Sequence, residues 1–180
     1  MHYAFQGYNG NEGQEGKNVV NLASAEQEQQ VLNNNNPALE ENAEGKGETH
    51  CNQATQNVIS TVASATNNSS MLVTGNANSM ANKLNSGNNI NYLKVDYATA
   101  EQNAQNGGLS LVTYTNPGGH GHVATFSVGE NADEGSIANI GSAQYSGFVS
   151  LNQAISKKKD KDYFIFLPNI LPTVTVKPKN

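Results

Sequence analysis

The sequence predicts an α+β fold in which an amphipathic helix packs on an antiparallel β-sheet. Three observations lead there. Counting from Cys51, the apolar or small residues Ala54, Val58, Ile59, Val62 and Ala63 fall at offsets 3, 7, 8, 11 and 12, the stripe of one buried helix face. Beyond Leu109 the pattern changes, and Leu109 to Tyr114 and His122 to Val128 are rich in β-branched and aromatic residues, as strands are. Between them Asn116-Pro117-Gly118-Gly119 is a turn signal, so the two strands run antiparallel.

The elements follow in order. Residues 1 to about 20 read as an irregular lead-in in which Gly7, Gly10, Gly13 and Gly16 are spaced by three. The period is not sustained and no proline accompanies it, which excludes collagen. Tyr3, Phe5 and Tyr8 are suited to pinning this arm on the domain surface. Ser24 to Leu32 is good helix material with Ser24 as cap, Asn33 to Asn36 end it, and Pro37 can start a short turn through Glu41. Gly45-Lys46-Gly47 approaches the cysteine helix, for which Thr49 is the expected N-cap. After a loop at Asn67 to Ser70, Ser79 to Leu84 predicts a short amphipathic helix, Ile90 to Val95 an extended segment, and Ala98 to Asn106 a helix closed by Gly107-Gly108. Following the hairpin come a shorter strand over Ser136 to Ile140, a helical turn over Ser150 to Ile155, and a strand over Tyr163 to Leu167 stopped by Pro168. Pro172 to Pro178 reads as an extended tail suited to a sheet edge. The expected organisation is an arm and helix over residues 1–47, one core over 48–167 and a tail over 168–180.

Composition narrows the function classes. Only 14% of residues are charged and 36% are hydrophobic, so the surface is expected to be rich in amides and hydroxyls. A net charge of -5, with Lys157-Lys158-Lys159 followed at once by Asp160 and Asp162, leaves no electrostatic footprint for nucleic acid. No apolar run is long enough to span a bilayer, and Met1 to Phe5 lacks the regions of a secretory signal. The protein is thus expected to stay in the cell or to leave by a route that reads no N-terminal signal. One cysteine makes no internal disulfide and leaves a thiol available for chemistry.

Cys51 opens a helix, where the dipole and unpaired backbone N–H groups favour a thiolate. The plain alternative is a small buried hydrophobe. A nucleophilic thiol needs a base, usually histidine, and a third group to fix the imidazole. Of His2, His50, His120 and His122, the last opens a predicted strand directly after Gly118, Gly119 and Gly121, small neighbours that would let a substrate backbone approach. Asn139, seventeen residues further and set between Ile137 and Ile140, can reach the far nitrogen of its ring. His122 as a turn histidine and Asn139 as a strand-end amide are the plain alternatives.

Cys51 at a helix start, Gly121-His122-Val123-Ala124 at a strand start and a polar residue on the next strand resemble the papain-like NlpC/P60 and CHAP superfamily of cell-wall cysteine peptidases and amidases. Thr49-His50-Cys51-Asn52-Gln53 resembles its nucleophile segment, and Gly107 to Val112 the strand before its histidine. Asn139-Ile140-Gly141, Gly147-Phe148 and Leu151 to Ala154 resemble the segments downstream of that histidine. The resemblance covers residues 48–167 and implies a papain-like fold with Cys51 as nucleophile, His122 as base and Asn139 as orienter. It implies a peptidoglycan hydrolase that cleaves a stem-peptide amide at the cell wall or in the periplasm if exported, with no cofactor and with room for an inhibitory or immunity protein as partner. No aromatic residue flanks the cysteine, His50 precedes it, and Asn139 stands where many relatives carry a second histidine. Three other readings compete. One is a papain-like protease or deamidase acting on proteins as a delivered bacterial effector, for which Tyr3 to Gly7 resembles the ends of Rhs-type carriers. The second is a non-catalytic binding module with a structural cysteine. The third is a zinc site of His50, Cys51, His120 and His122.

Overall fold

The helix that opens at Cys51 forms where its periodicity places it. In the computed structural model, which describes residues 5–6, 19–20, 28–31, 50–88, 91–141 and 145–167, α1 spans Cys51–Thr66. All five residues of the predicted stripe are buried, Ile59 and Val62 completely. Burying each such aliphatic side chain is worth about 1.5–3 kcal/mol, so the stripe holds the helix down. Its N-cap is His50, which makes no side-chain capping bond; Thr49, the expected cap, lies outside the described residues. Asn67 ends α1 in the left-handed conformation at φ 51°, a geometry that asparagine tolerates better than most residues.

A six-stranded antiparallel sheet forms the body. Its strands are β3 (Tyr92–Val95), β4 (Ser110–Tyr114), β5 (His122–Phe126), β6 (Ile137–Asn139), β7 (Gly147–Val149) and β8 (Asp162–Phe166), in spatial order β3-β8-β4-β5-β6-β7. The hairpin β4–β5 is the predicted one, with Leu111 opposite Thr125 and Tyr114 opposite His122. Phe5–Gln6 (β1) and Val19–Val20 (β2) pair antiparallel, so the lead-in, expected to be irregular, carries a short ladder.

Helices cover both faces of the sheet. On one, α1 and α2 (Ala77–Asn85) bury Ile59, Val62, Met80 and Leu84 with Leu111, Val123, Phe164 and Phe166. On the other, Ala100 and Ala104 of α3 (Tyr97–Gln105) pack with Val112, Ala124, Phe126, Ile137 and Ile165. Two four-residue helices, α4 (Asn131–Glu134) and α5 (Leu151–Ala154), lie between later strands. The α+β class holds, with helices on two faces of an antiparallel sheet. Asn76 and Asp96 cap α2 and α3 by accepting the N–H of Ser79 and Thr99, both at 2.8 Å, as short acceptor side chains at helix starts do.

Residues 28–31 are helical, within the stretch expected to form the first helix; the rest of that prediction, the Pro37 turn and the tail lie outside the described residues. Glu28 is 2% exposed and its Oε2 accepts the Val128 N–H at 3.3 Å and the Asn131 amide at 2.8 Å. Its Oε1 is buried without a hydrogen-bond partner. Burial outweighs the two donors and pushes the carboxyl up from 4.5 to about 7. Among the described residues, no helix is long and apolar enough to cross a membrane.

Candidate thiol and imidazole site

Cys51 is the first helical residue of α1 and is 3% exposed, part of the same apolar cluster as Ala77 and Val123. One turn later the Thr55 hydroxyl donates to the Val123 carbonyl at 3.2 Å. That carbonyl is within reach because β5 pairs with β6 only through Thr125 and Phe126, leaving the start of β5 uncovered on that side. The hydroxyl takes the place of a missing strand and fixes the register of α1 against β5. Cys51, one turn before Thr55, therefore stands at the end of β5 that His122 opens.

His122 is oriented by two successive hydrogen bonds. Its Nε2 lies 2.6 Å from Asn139 Oδ1, and Asn139 Nδ2 donates to the Tyr145 carbonyl. Because the carbonyl can only accept, it fixes which end of the Asn139 amide faces the ring. The oxygen faces His122, so Nε2 carries the proton and donates. Nδ1 of the neutral ring is thereby the basic nitrogen. Burial depresses the His122 pKa below 6.5 and outweighs the Asn139 bond, which raises it, so the ring is neutral at pH 7.

The structure thus brings His122 and Asn139 together, as the sequence predicts, and sets Cys51 on the adjoining layer. Strand alternation turns Val123 toward α1 and α2 and Ala124 toward α3. His122 consequently leaves the strand on the α3 side, as does Asn139, which follows Ala138 in register with Thr125. The backbone of β5 at Val123 stands between the imidazole and the core face on which Cys51 packs.

A cleft of about 390 Å³ opens beside Cys51, walled by Asn52, residues 76–78 of the α2 start and residues 119–121 of the β4–β5 turn. None of these residues is Asp, Glu, Lys or Arg, so a developing oxyanion here would depend on backbone, amide and ring N–H groups. Gly121 does not leave the room that its sequence suggests. A Cβ on it would lie 2.3 Å from Asn78 Oδ1 and 2.6 Å from the Tyr114 carbonyl, so its space is filled by the protein itself. Asn78 and the Tyr145 carbonyl escape the sequence reading, since neither stands in a motif and Asn78 lies 38 and 41 residues from the groups it holds.

His50 is engaged locally, its Nδ1 2.9 Å from Gln53 Oε1. Among the described residues, no three His, Cys, Asp or Glu side chains are grouped so that they could hold a metal ion, and the zinc alternative of His50, Cys51, His120 and His122 finds no support. No family model matches the chain, and no characterised protein matches it in sequence.

Proposed function

We propose that the protein is a cysteine hydrolase of amide bonds, with Cys51 as nucleophile, His122 as base and Asn139 as orienter. The observation that carries this is the bond between His122 Nε2 and Asn139 Oδ1 at 2.6 Å. It leaves Nδ1 as the proton acceptor, and Gly121, the residue before His122, belongs to the wall of the cleft that holds the only thiol in the chain. In the first step Nδ1 takes the thiol proton, for which the His122 ring must come round the start of β5 to Cys51, and the thiolate attacks the amide carbonyl. The imidazolium returns that proton to the leaving amine, and a thioester remains. Water then attacks with Nδ1 as base and releases the acid. The resemblance to the papain-like NlpC/P60 and CHAP superfamily makes peptidoglycan the proposed substrate, and the cell wall or periplasm the place of action.

Two measurements test the chemistry and the substrate separately. Iodoacetamide is expected to label Cys51 near neutral pH faster than an unperturbed thiol, and Cys51→Ala and His122→Ala are each expected to abolish turnover. Slow labelling together with full activity in Cys51→Ala refutes the mechanism. Purified peptidoglycan incubated with the protein should yield new termini identifiable by mass spectrometry, whereas an intact sacculus alongside a cleaved protein points to the protease or deamidase reading. A second reading, the structural cysteine, is favoured by the 3% exposure of Cys51 and its packing with Ala77 and Val123. Cys51→Ala then costs stability and nothing else.

A further inference from the structure

The turn that delivers His122 is held by one side chain from another element. Asn78 on α2 donates through Nδ2 to the carbonyls of Asn116 and Gly119, both at 2.9 Å. Its Oδ1 accepts the Asn116 N–H, also at 2.9 Å. Both amide hydrogens and the oxygen are thereby committed to the backbone of one turn, 38 and 41 residues away in sequence. The turn makes room for it, because the position where a Gly121 Cβ would sit is 2.3 Å from Asn78 Oδ1. Only glycine admits the amide there, and His122 is the next residue. The turn closes on itself as well, through the Gly119 N–H to the Asn116 carbonyl at 3.1 Å. Asn116 Nδ2 also donates to the His120 carbonyl, at 3.4 Å.

We propose that Asn78 is a positioning residue of the thiol and imidazole site: it fixes the segment 116–121 to α2, and so sets where the His122 ring stands relative to Cys51. The proposal rests on the hydrolase reading above. What ties these bonds to the site is that the segment they hold ends at Gly121, immediately before the histidine, and borders the cleft beside Cys51.

The experiment is the pH profile of Cys51 alkylation by iodoacetamide in the full chain, with the His122 ring titration followed by NMR. Wild type should react at pH 6 through a limb that His122→Ala abolishes. Asn78→Ala should lose the same limb, with alkylation at pH 6 falling at least about tenfold, since the thiolate fraction drops tenfold for each unit its pKa rises. The His122 titration midpoint should move up toward 6.5 as the ring gains solvent. Lys83→Ala is the control for the stability of α2, because it removes the bond from Nζ to the Thr74 carbonyl at 2.7 Å away from the turn; it should leave profile and midpoint unchanged. Should Asn78→Ala fail to fold, Asn78→Ser is read in the same way, as it adds no charge and its hydroxyl, with one hydrogen, cannot replace both donors and the acceptor. An Asn78 variant with the wild-type profile and midpoint overturns the proposal while leaving the hydrolase reading intact. Identical profiles for wild type and His122→Ala overturn both.

Discussion

Replacing Glu28 by glutamine should free the protein of a stability loss that wild type suffers as pH rises. The carboxyl ionises at about 7 in the fold against 4.5 ordinarily, because it is buried. The folded state therefore binds its proton more tightly than the unfolded chain does. Its contribution is complete below pH 4.5 and is lost as pH climbs through about 7. The interval between the two values corresponds to roughly 3 kcal/mol. Glutamine keeps an oxygen to accept from Val128 and Asn131 and stays neutral at every pH. Its amide hydrogens take the position of Oε1, which has no partner, at a cost of about 1–3 kcal/mol. At pH 8 the variant should therefore equal wild type or exceed it by up to about 2 kcal/mol, and at pH 5 it should be the less stable of the two. Urea denaturation of both proteins at pH 5, 6, 7 and 8 measures the difference, from which the common contribution of His122 cancels. Parallel stability curves, or a glutamine variant that loses ground as pH rises, would refute the reasoning.

Other outcomes rest on the same contacts. His122, whose pKa is depressed by burial, contributes stability that is present above pH 6.5 and lost as pH falls through its folded value; in the Glu28→Gln background, thermal melts below pH 6.5 should show that decline. Asn139→Ala removes the bond that supports the imidazolium, and the NMR titration midpoint of His122 should fall further. Gly121→Ala forces a methyl to within 2.3 Å of Asn78 Oδ1 and 2.6 Å of the Tyr114 backbone, and chemical denaturation should register a loss of about 1–3 kcal/mol. Ile59→Ala empties a completely buried position of α1 and should cost about 2–5 kcal/mol by the same assay.

Much of the α+β body is legible in the sequence because its elements carry their own periodicity. The buried stripe of α1 and the β4–β5 hairpin around Asn116 to Gly119 are local patterns, and the structure forms them where they are written. The pairing of His122 with Asn139 is legible too, since consecutive strands joined by a short connection are neighbours. The rest depends on groups distant in sequence. Nothing near Tyr163 says that β8 inserts between β3 and β4, and that placement decides which helices share a face. The four-residue α4 and three-residue β7 are too short to show a period. For Asn78, no sequence signal marks an asparagine whose partners lie on another element. Strand parity, readable only once the register is known, decides which side of β5 each ring occupies. It is why the histidine and its orienter meet while the cysteine stands on the neighbouring layer.

The bond from Thr55 to Val123 spans 68 residues, and its span has a kinetic meaning. Closing so long a loop is slow compared with forming a helix or a hairpin. During synthesis from the N-terminus, α1 can fold well before β5 exists to receive it. Throughout that interval the cysteine is an ordinary thiol on a helix without its sheet, and the imidazole still lacks the Asn139 acceptor that lies 17 residues beyond it. Hydrogen-exchange labelling during refolding should therefore find the amides of α1 protected before those of β6. Any reactivity that depends on the assembled site should appear only with the later phase, after the sheet is complete.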